Sequence, residues 1–241
     1  MPSVVGIDLA AGRGVTAVAV LEVDADAGAL PRFDLTRNQT VQSDEEVVDA
    51  AVSAQPAVIA IDAPLTLPAA VAAALRTSPH SAAAEQVQST KERSPYTRAA
   101  ERDPLWGRLG LHPLPVSFLG GLTFRAIALV PQLRTRLPHA SIIEVFPSAT
   151  LRLLGIRPSE PGGGRRAAKT SSAARSATQA GLCIHIAGLL HPETKLLGAD
   201  LLDALASALT ATYHLRGATL AVGDPAEGQI ILPRHTAAAP L

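Results

Sequence analysis

The sequence predicts an α/β fold: a mixed sheet of three antiparallel strands followed by parallel ones, with helices on both faces and a helical, basic insertion. Three observations predict it. Two short apolar runs, SVVGIDLA and AVIAID, each arrive at an aspartate; the first is followed by two more strand-like runs, as in a meander; and helical patterns fill the intervals between the later runs.

Residues 3–11, SVVGIDLAA, read as a buried strand closing in a turn at AGRG, and VTAVAVLEV, rich in β-branched residues, reads as its hairpin partner. RFDLTRNQTV is a third, more exposed strand. Ser43 with Glu46 three residues on is a capping-box pattern, and the apolar spacing behind it predicts the first helix. PAVIAIDAPLTLP reads as a central parallel strand that reaches Asp62 and is stopped by Pro64 and Pro68. A short helix is expected at 69–76, a polar loop at 77–97, and then an irregular basic segment, SPYTRAAERDPLWGRLGLHPLP. SFLGGLTFRAIALVPQLRTRL predicts a helix, against the local preferences of Gly120, Gly121 and Pro131. SIIEVF is another strand, with a helix starting at Pro147. RPSEPGGGRR is a loop; helices are expected over 166–180 and 198–216, the second ended by Gly217; and ATLAVGDPAEGQIILP closes as a hairpin. The expected organisation is one domain over 1–241, with an insertion at about 69–138 and a C-terminal β-hairpin at about 218–233.

With 241 residues, 47% of them hydrophobic, the chain can bury a sizeable core. The formal net charge is zero, yet it is segregated: residues 91–175 hold 14 basic and 5 acidic side chains, against 4 and 11 in residues 1–90. That middle segment is either arginine used for solubility or a cationic wall for a nucleic-acid partner. The single cysteine, Cys183, excludes an internal disulfide and suits a reducing cytoplasm; it reads as a small core residue. No secretory signal precedes the first strand, and the longest apolar stretch, SFLGGLTFRAIALV, contains Arg125 and is too short to span a bilayer. The seven histidines lack metal-ligand spacing, and 3% aromatic content argues against a base-stacking platform for single strands. Whether the chain forms a homo-oligomer is left open.

Four acids carry the chemistry. Asp8 and Asp62 each end an apolar strand, and in a parallel pair their carboxylates face one crevice. Taken singly, each could cap the turn that follows it. Asp200 and Asp203 head an alanine-rich helix: Asp200 as N-cap with Asp203 in the first turn would satisfy free N–H groups, but the i, i+3 spacing also puts both on one face. Four converging carboxylates, with no lysine or histidine close in sequence, call for hard divalent cations, Mg²⁺ or Mn²⁺. Glu144, in SIIEVF, is either a fifth acid ligand or the partner of an arginine. Arg13 in the AGRG turn, and Arg98 and Arg102 in the basic segment, are candidates to hold a substrate phosphate; the latter two could equally pair with Glu101 and Asp103. Glu227, in EGQI, either anchors the final hairpin or lines the site.

GIDLA, AIDAPL and ADLLDALASALTATYH resemble the acid-bearing elements of the RNase H-like superfamily. The last is similar to the final helix of RuvC-type Holliday junction resolvases, where two aspartates three apart precede an alanine-rich run. Over nearly the whole chain, GIDLA, IDAPLTLP, TRAAERDPL, EVFPSATLRLLG, DLLDALASALTA and GDPAEGQIILP stand in the order of the domain of unknown function 429 family, whose members are predicted RNase H-like nucleases. The resemblance implies an RNase H-like sheet in which a first-strand aspartate, a fourth-strand acid and a last-helix acid bind the metals. These fall on Asp8, on Asp62, and on Asp203 or Asp200. TRAAERDPL departs from the family in Glu101, where an aspartate is expected.

The expected activity is Mg²⁺- or Mn²⁺-dependent hydrolysis of phosphodiester bonds in nucleic acid, with Asp8, Asp62, Asp200 and Asp203 as catalytic metal ligands. Two alternatives keep the fold. One is a nucleotide-binding or nucleotide-hydrolysing protein of the actin-like kind, for which 241 residues leave little room for a second phosphate loop. The other is a non-catalytic scaffold in which the acids are caps.

Overall fold

The structure is a computed structural model that describes residues 1–12, 14–23, 33–76, 96–157 and 170–234. Arg13, most of the expected 77–97 loop, the RPSEPGGGRR loop beyond its first residue (Arg157) and the start of the helix expected at 166 lie outside the described residues.

The apolar runs form the strands β1 (Ser3–Asp8), β2 (Thr16–Val23) and β3 (Phe33–Val41), an antiparallel meander. Helix α1 (Asp44–Ala54) starts at the expected capping box: Ser43 Oγ accepts from the Glu46 amide at 3.2 Å, and Glu46 Oε2 accepts from the amides of Gln42 and Ser43 at 2.6 and 3.2 Å. β4 (Val58–Ile61) then pairs parallel with β1, and α2 (Ala69–Arg76) follows it. The basic segment is more regular than expected, with a 3₁₀ turn at Ala100–Arg102 and helix α3 (Leu105–Leu109). Burial explains it: Trp106 inserts beneath the segment, donating from its indole to the Ala100 carbonyl at 2.6 Å and meeting Phe146 edge-to-face at 5.6 Å.

The long helix α4 (Val116–Arg136) runs through Gly120, Gly121 and Pro131. β5 (Ser141–Val145) lies parallel to β4, and α5 (Pro147–Leu153) starts at Pro147 as expected. Of the helix expected at 166–180, the described residues show α6 (Ser172–His185), whose N-cap Ser171 accepts the Ala174 amide at 3.2 Å. A two-residue strand that the sequence did not signal, β6 (Ile186–Ala187), pairs parallel with β3. Helix α7 (Ala199–Leu215) precedes the hairpin of β7 (Thr219–Val222) and β8 (Ile230–Pro233).

The strand order is β6-β3-β2-β1-β4-β5-β8-β7, with β8 parallel to β5. This is the mixed sheet that the sequence predicts: β3-β2-β1 antiparallel and β1-β4-β5-β8 parallel, with β6 parallel to β3 at one edge and β7 antiparallel to β8 at the other. One face buries Val4, Ala60, Ile143 and Val145 under α7, α5 and α6; the other buries Val5, Ile7, Ile59 and Ile61 under α1 and α4. A smaller cluster of Ala100, Trp106, Leu153, Val222 and Leu232 lies at the β8 end. Cys183 is half-buried against the α7-side core. Among the described residues no helix is long and apolar enough to cross a membrane.

Candidate active site

Two hydrogen-bonded parallel strands set the first pair of acids side by side. Ile7 of β1 pairs with Ile61 of β4, and the Asp62 amide donates to the Ile7 carbonyl at 2.8 Å, so Asp8 and Asp62 follow in register at neighbouring strand ends. Side chains alternate along a strand, so Asp8 shares a face with Val4 and Gly6, and Asp62 with Val58 and Ala60. That is the face α7 covers. The helix crosses β1 at Gly6, where its Ala204 and Ala208 backbone leaves no room for a side chain. Asp203, one residue before Ala204, is thereby carried to the end of β1; it is buried, and Asp200 is exposed one turn earlier. All four acids line one crevice of about 1060 Å³.

The capping explanation for the helical pair does not hold. Gly198 is the N-cap, which makes Asp200 the second residue of α7 and Asp203 the fifth. Asp200 still meets the positive helix end, but Asp203 lies past the first turn, where that field fades. Helix geometry therefore does not account for a buried aspartate at 203.

The loops that carry Asp8 and Asp62 are held by side chains from elsewhere. After Asp8, Arg125 of α4 donates through Nη1 to the Ala10 carbonyl at 2.6 Å and to Thr16 Oγ1 at 3.1 Å, and through Nε to Asp44 Oδ1 at 2.7 Å. After Asp62, Glu144 Oε2 accepts the Leu65 amide at 2.9 Å. Glu144 stands level with Ile61, on the sheet face opposite to Asp8 and Asp62.

Arg98 organises the rest. Wholly buried, it directs all five guanidinium N–H groups to protein acceptors: Glu101 Oε1 from Nε and Nη2, Thr66 Oγ1 and Glu144 Oε2 from Nη1, and Glu144 Oε1 from Nη2. Burial opposes the charge of Arg98, and the hydrogen bonds and charges of Glu144 and Glu101 outweigh it, holding the guanidinium ionised. Burial pushes the Glu144 carboxyl above its ordinary value, and Arg98 and the Leu65 amide offset part of that. Those partners of Glu144 are all donors, which suits the carboxylate rather than the acid.

Glu227 completes this bracket, accepting the Ala99 amide at 2.8 Å and the Ala69 amide at 3.3 Å, while Thr66 Oγ1 donates to its carbonyl at 2.5 Å. Of the two readings of Glu227, the anchor is the one seen. Arg98 pairs locally with Glu101, while Arg102 donates to the Thr97 carbonyl at 2.9 Å and comes within 3.9 Å of Glu227.

Two crevice-lining cations were missed in the sequence, Arg152 on α5 and Arg157 just beyond it. Arg157 donates to Thr178 Oγ1 at 2.8 Å. Arg152 Nη1 is buried with no hydrogen-bond partner, a state that costs about 1–3 kcal/mol per group. An arginine inside the apolar run TLRLLG was the available signal, as Arg125 was inside its own helix. One wall is largely apolar, with Leu111, Pro113, Leu114, Phe118, Leu119 and Leu122 beside His112.

The four aspartates offer only carboxylate oxygens, the donors that Mg²⁺ and Mn²⁺ take. Among the described residues no three His, Cys, Asp or Glu side chains are already drawn into a metal cage. The fit therefore rests on the donor chemistry and the shared crevice.

A family model described as a protein of unknown function (DUF429) matches residues 6–228. No curated protein matches the chain. The solved structure of RuvC from Thermus thermophilus aligns at 12% identity with a TM-score of 0.45, covering 89% of this chain and 96% of that one.

Proposed function

The chain belongs to the DUF429 family, and on the site just described we propose that it hydrolyses phosphodiester bonds of nucleic acid with the help of Mg²⁺ or Mn²⁺. One observation carries the reading. Asp8 and Asp62, adjacent on parallel strands, share a crevice with Asp203, a buried carboxylate that neither caps its helix nor lies in its first turn.

Asp8, Asp62 and Asp203 would hold the metal, with Asp200 at the exposed edge. Glu144 is left out of this ligand set, because both its oxygens are taken by donors and it leaves the sheet on the other face. The ions would activate a water and stabilise the leaving oxygen. The chain's own work is positioning. Arg125 fixes the backbone beyond Asp8, and the Arg98–Glu144 pair fixes the backbone beyond Asp62. Nucleic acid would reach the acids past the cations of the crevice.

Calorimetric titration of Mn²⁺ tests the reading. Wild-type protein should bind, and the Asp8→Asn, Asp203→Asn double variant should not. Unchanged binding in the double variant would sink the metal site, and with it the reaction.

A further inference from the structure

Resting on the phosphodiesterase reading, we propose that Arg152, with Arg157 in the same crevice, anchors a phosphate next to the scissile one, and that the nucleic acid held there is single-stranded. Three observations carry this beyond the metal site. Arg152 Nη1 is buried without an acceptor, so the protein has desolvated a cationic donor and left its bond unmade. A phosphate oxygen, which takes guanidinium N–H groups in pairs, is an acceptor of the right chemistry.

The second observation is the charge layout. The crevice carries Asp8, Asp62, Asp200 and Asp203, which repel a phosphodiester, while Arg152 and Arg157 attract one. Arg98 also lines it, but has no donor left to give. Among the described arginines of the crevice, Arg152 and Arg157 are therefore the ones placed to hold the backbone of a substrate in register.

The third is size and surface. Arg152 Nη1 lies 3.5 Å from where a Cβ on Gly110 would stand, directly beneath the loop that continues into Leu111, Pro113 and Leu114. That loop and Phe118 offer an apolar wall, with Phe118 77% exposed although it lines the crevice. An unpaired base could rest there while its phosphate meets Arg152. A crevice of about 1060 Å³ is of the order that encloses one small ligand, enough for a nucleotide or two of a single strand.

The test measures binding without metal, so that it stands apart from the metal site. In EDTA, a fluorescein-labelled single-stranded hexanucleotide is titrated with wild-type protein, Arg152→Gln and Arg152→Lys, at several salt concentrations, alongside the same sequence as a duplex. Affinity should fall about tenfold in Arg152→Gln, with the salt slope reduced by about one, and Lys should restore part of it. The Asp8→Asn, Asp203→Asn variant should bind the strand more tightly than wild type, since two repelling charges are gone. The anchor is overturned if Arg152→Gln binds with unchanged affinity and slope. It is overturned equally if the loss comes with a matching drop in thermal stability that Lys does not repair, or if the duplex binds as well as the strand. Failure of the metal reading shows separately, as absent Mn²⁺ binding in the wild type.

Discussion

Gly6 and Ala204 are in backbone contact: a Cβ on Gly6 would stand 2.1 Å from the Ala204 carbonyl oxygen. This contact sets the height of α7 above β1, and so the distance of Asp203 from Asp8. Gly6→Ala should destabilise the fold by about 3 kcal/mol or more, because the obstacle is backbone and cannot rotate away. The midpoint of urea unfolding measures the loss, and Mn²⁺ affinity should fall with it.

Asp200 and Asp203 should separate cleanly. Asp203→Asn keeps the shape of a buried side chain in a crevice that three other aspartates line, so the fold should persist while hydrolysis falls by at least about 100-fold. Asp200→Asn removes an exposed charge from the helix start and should cost about 0.3–1 kcal/mol with a smaller effect on rate. Paired thermal melts and initial rates decide; equal loss of rate in both would contradict the assignment of Asp203 as the principal ligand.

Arg98→Met leaves Glu144 and Glu101 charged, buried and without their main counterion. A destabilisation of about 3–5 kcal/mol is expected. Adding Glu144→Gln to Arg98→Met should recover part of it, since one stranded charge is gone. A double-mutant cycle by chemical denaturation measures the coupling.

Phe118→Ala should leave stability within about 0.5 kcal/mol, given its exposure, and weaken single-strand binding by about 1–3 kcal/mol. Fluorescence anisotropy with the labelled strand reads it, and unchanged affinity would remove Phe118 from the binding surface.

Acid should loosen the start of α1. The amides of Gln42 and Ser43 hold the Glu46 carboxyl below its ordinary 4.5. A lowered folded-state value means the stabilisation is present above 4.5 and lost as pH falls through the folded value. Carbon-detected NMR titration should place Glu46 below the exposed glutamates, and Gln42 and Ser43 amide protection should fade over the same range.

The meander and the pairing of β1 with β4 were legible because hairpin signals join the first three runs and two apolar runs each reach an aspartate, and α1 because Ser43 and Glu46 spell out a capping box; the two residues of β6 are too few to signal a strand. Gly6 was legible in principle: a glycine inside an apolar strand marks close approach of another backbone. The cap of α7 misled, because aspartate at a helix head fits both a cap and a second position, and only the chain's path at Gly198 separates them. Glu144 as the partner of an arginine was one of its two readings, but that the arginine is Arg98 was out of reach, because the two are 46 residues apart and meet only through packing of the basic segment. Arg152 was hidden by its apolar neighbours in the run TLRLLG, which read as ordinary helix.

Glu227 reaches back across 161 residues, its carbonyl taking the Thr66 hydroxyl and its carboxylate the amides of Ala69 and Ala99. A growing chain thus makes the loop beyond Asp62 long before it makes the group that ties that loop down. Until the hairpin that carries Glu227 has been made, the bracket around Arg98 stays open, and the loop beyond Asp62 must wait for its most distant anchor.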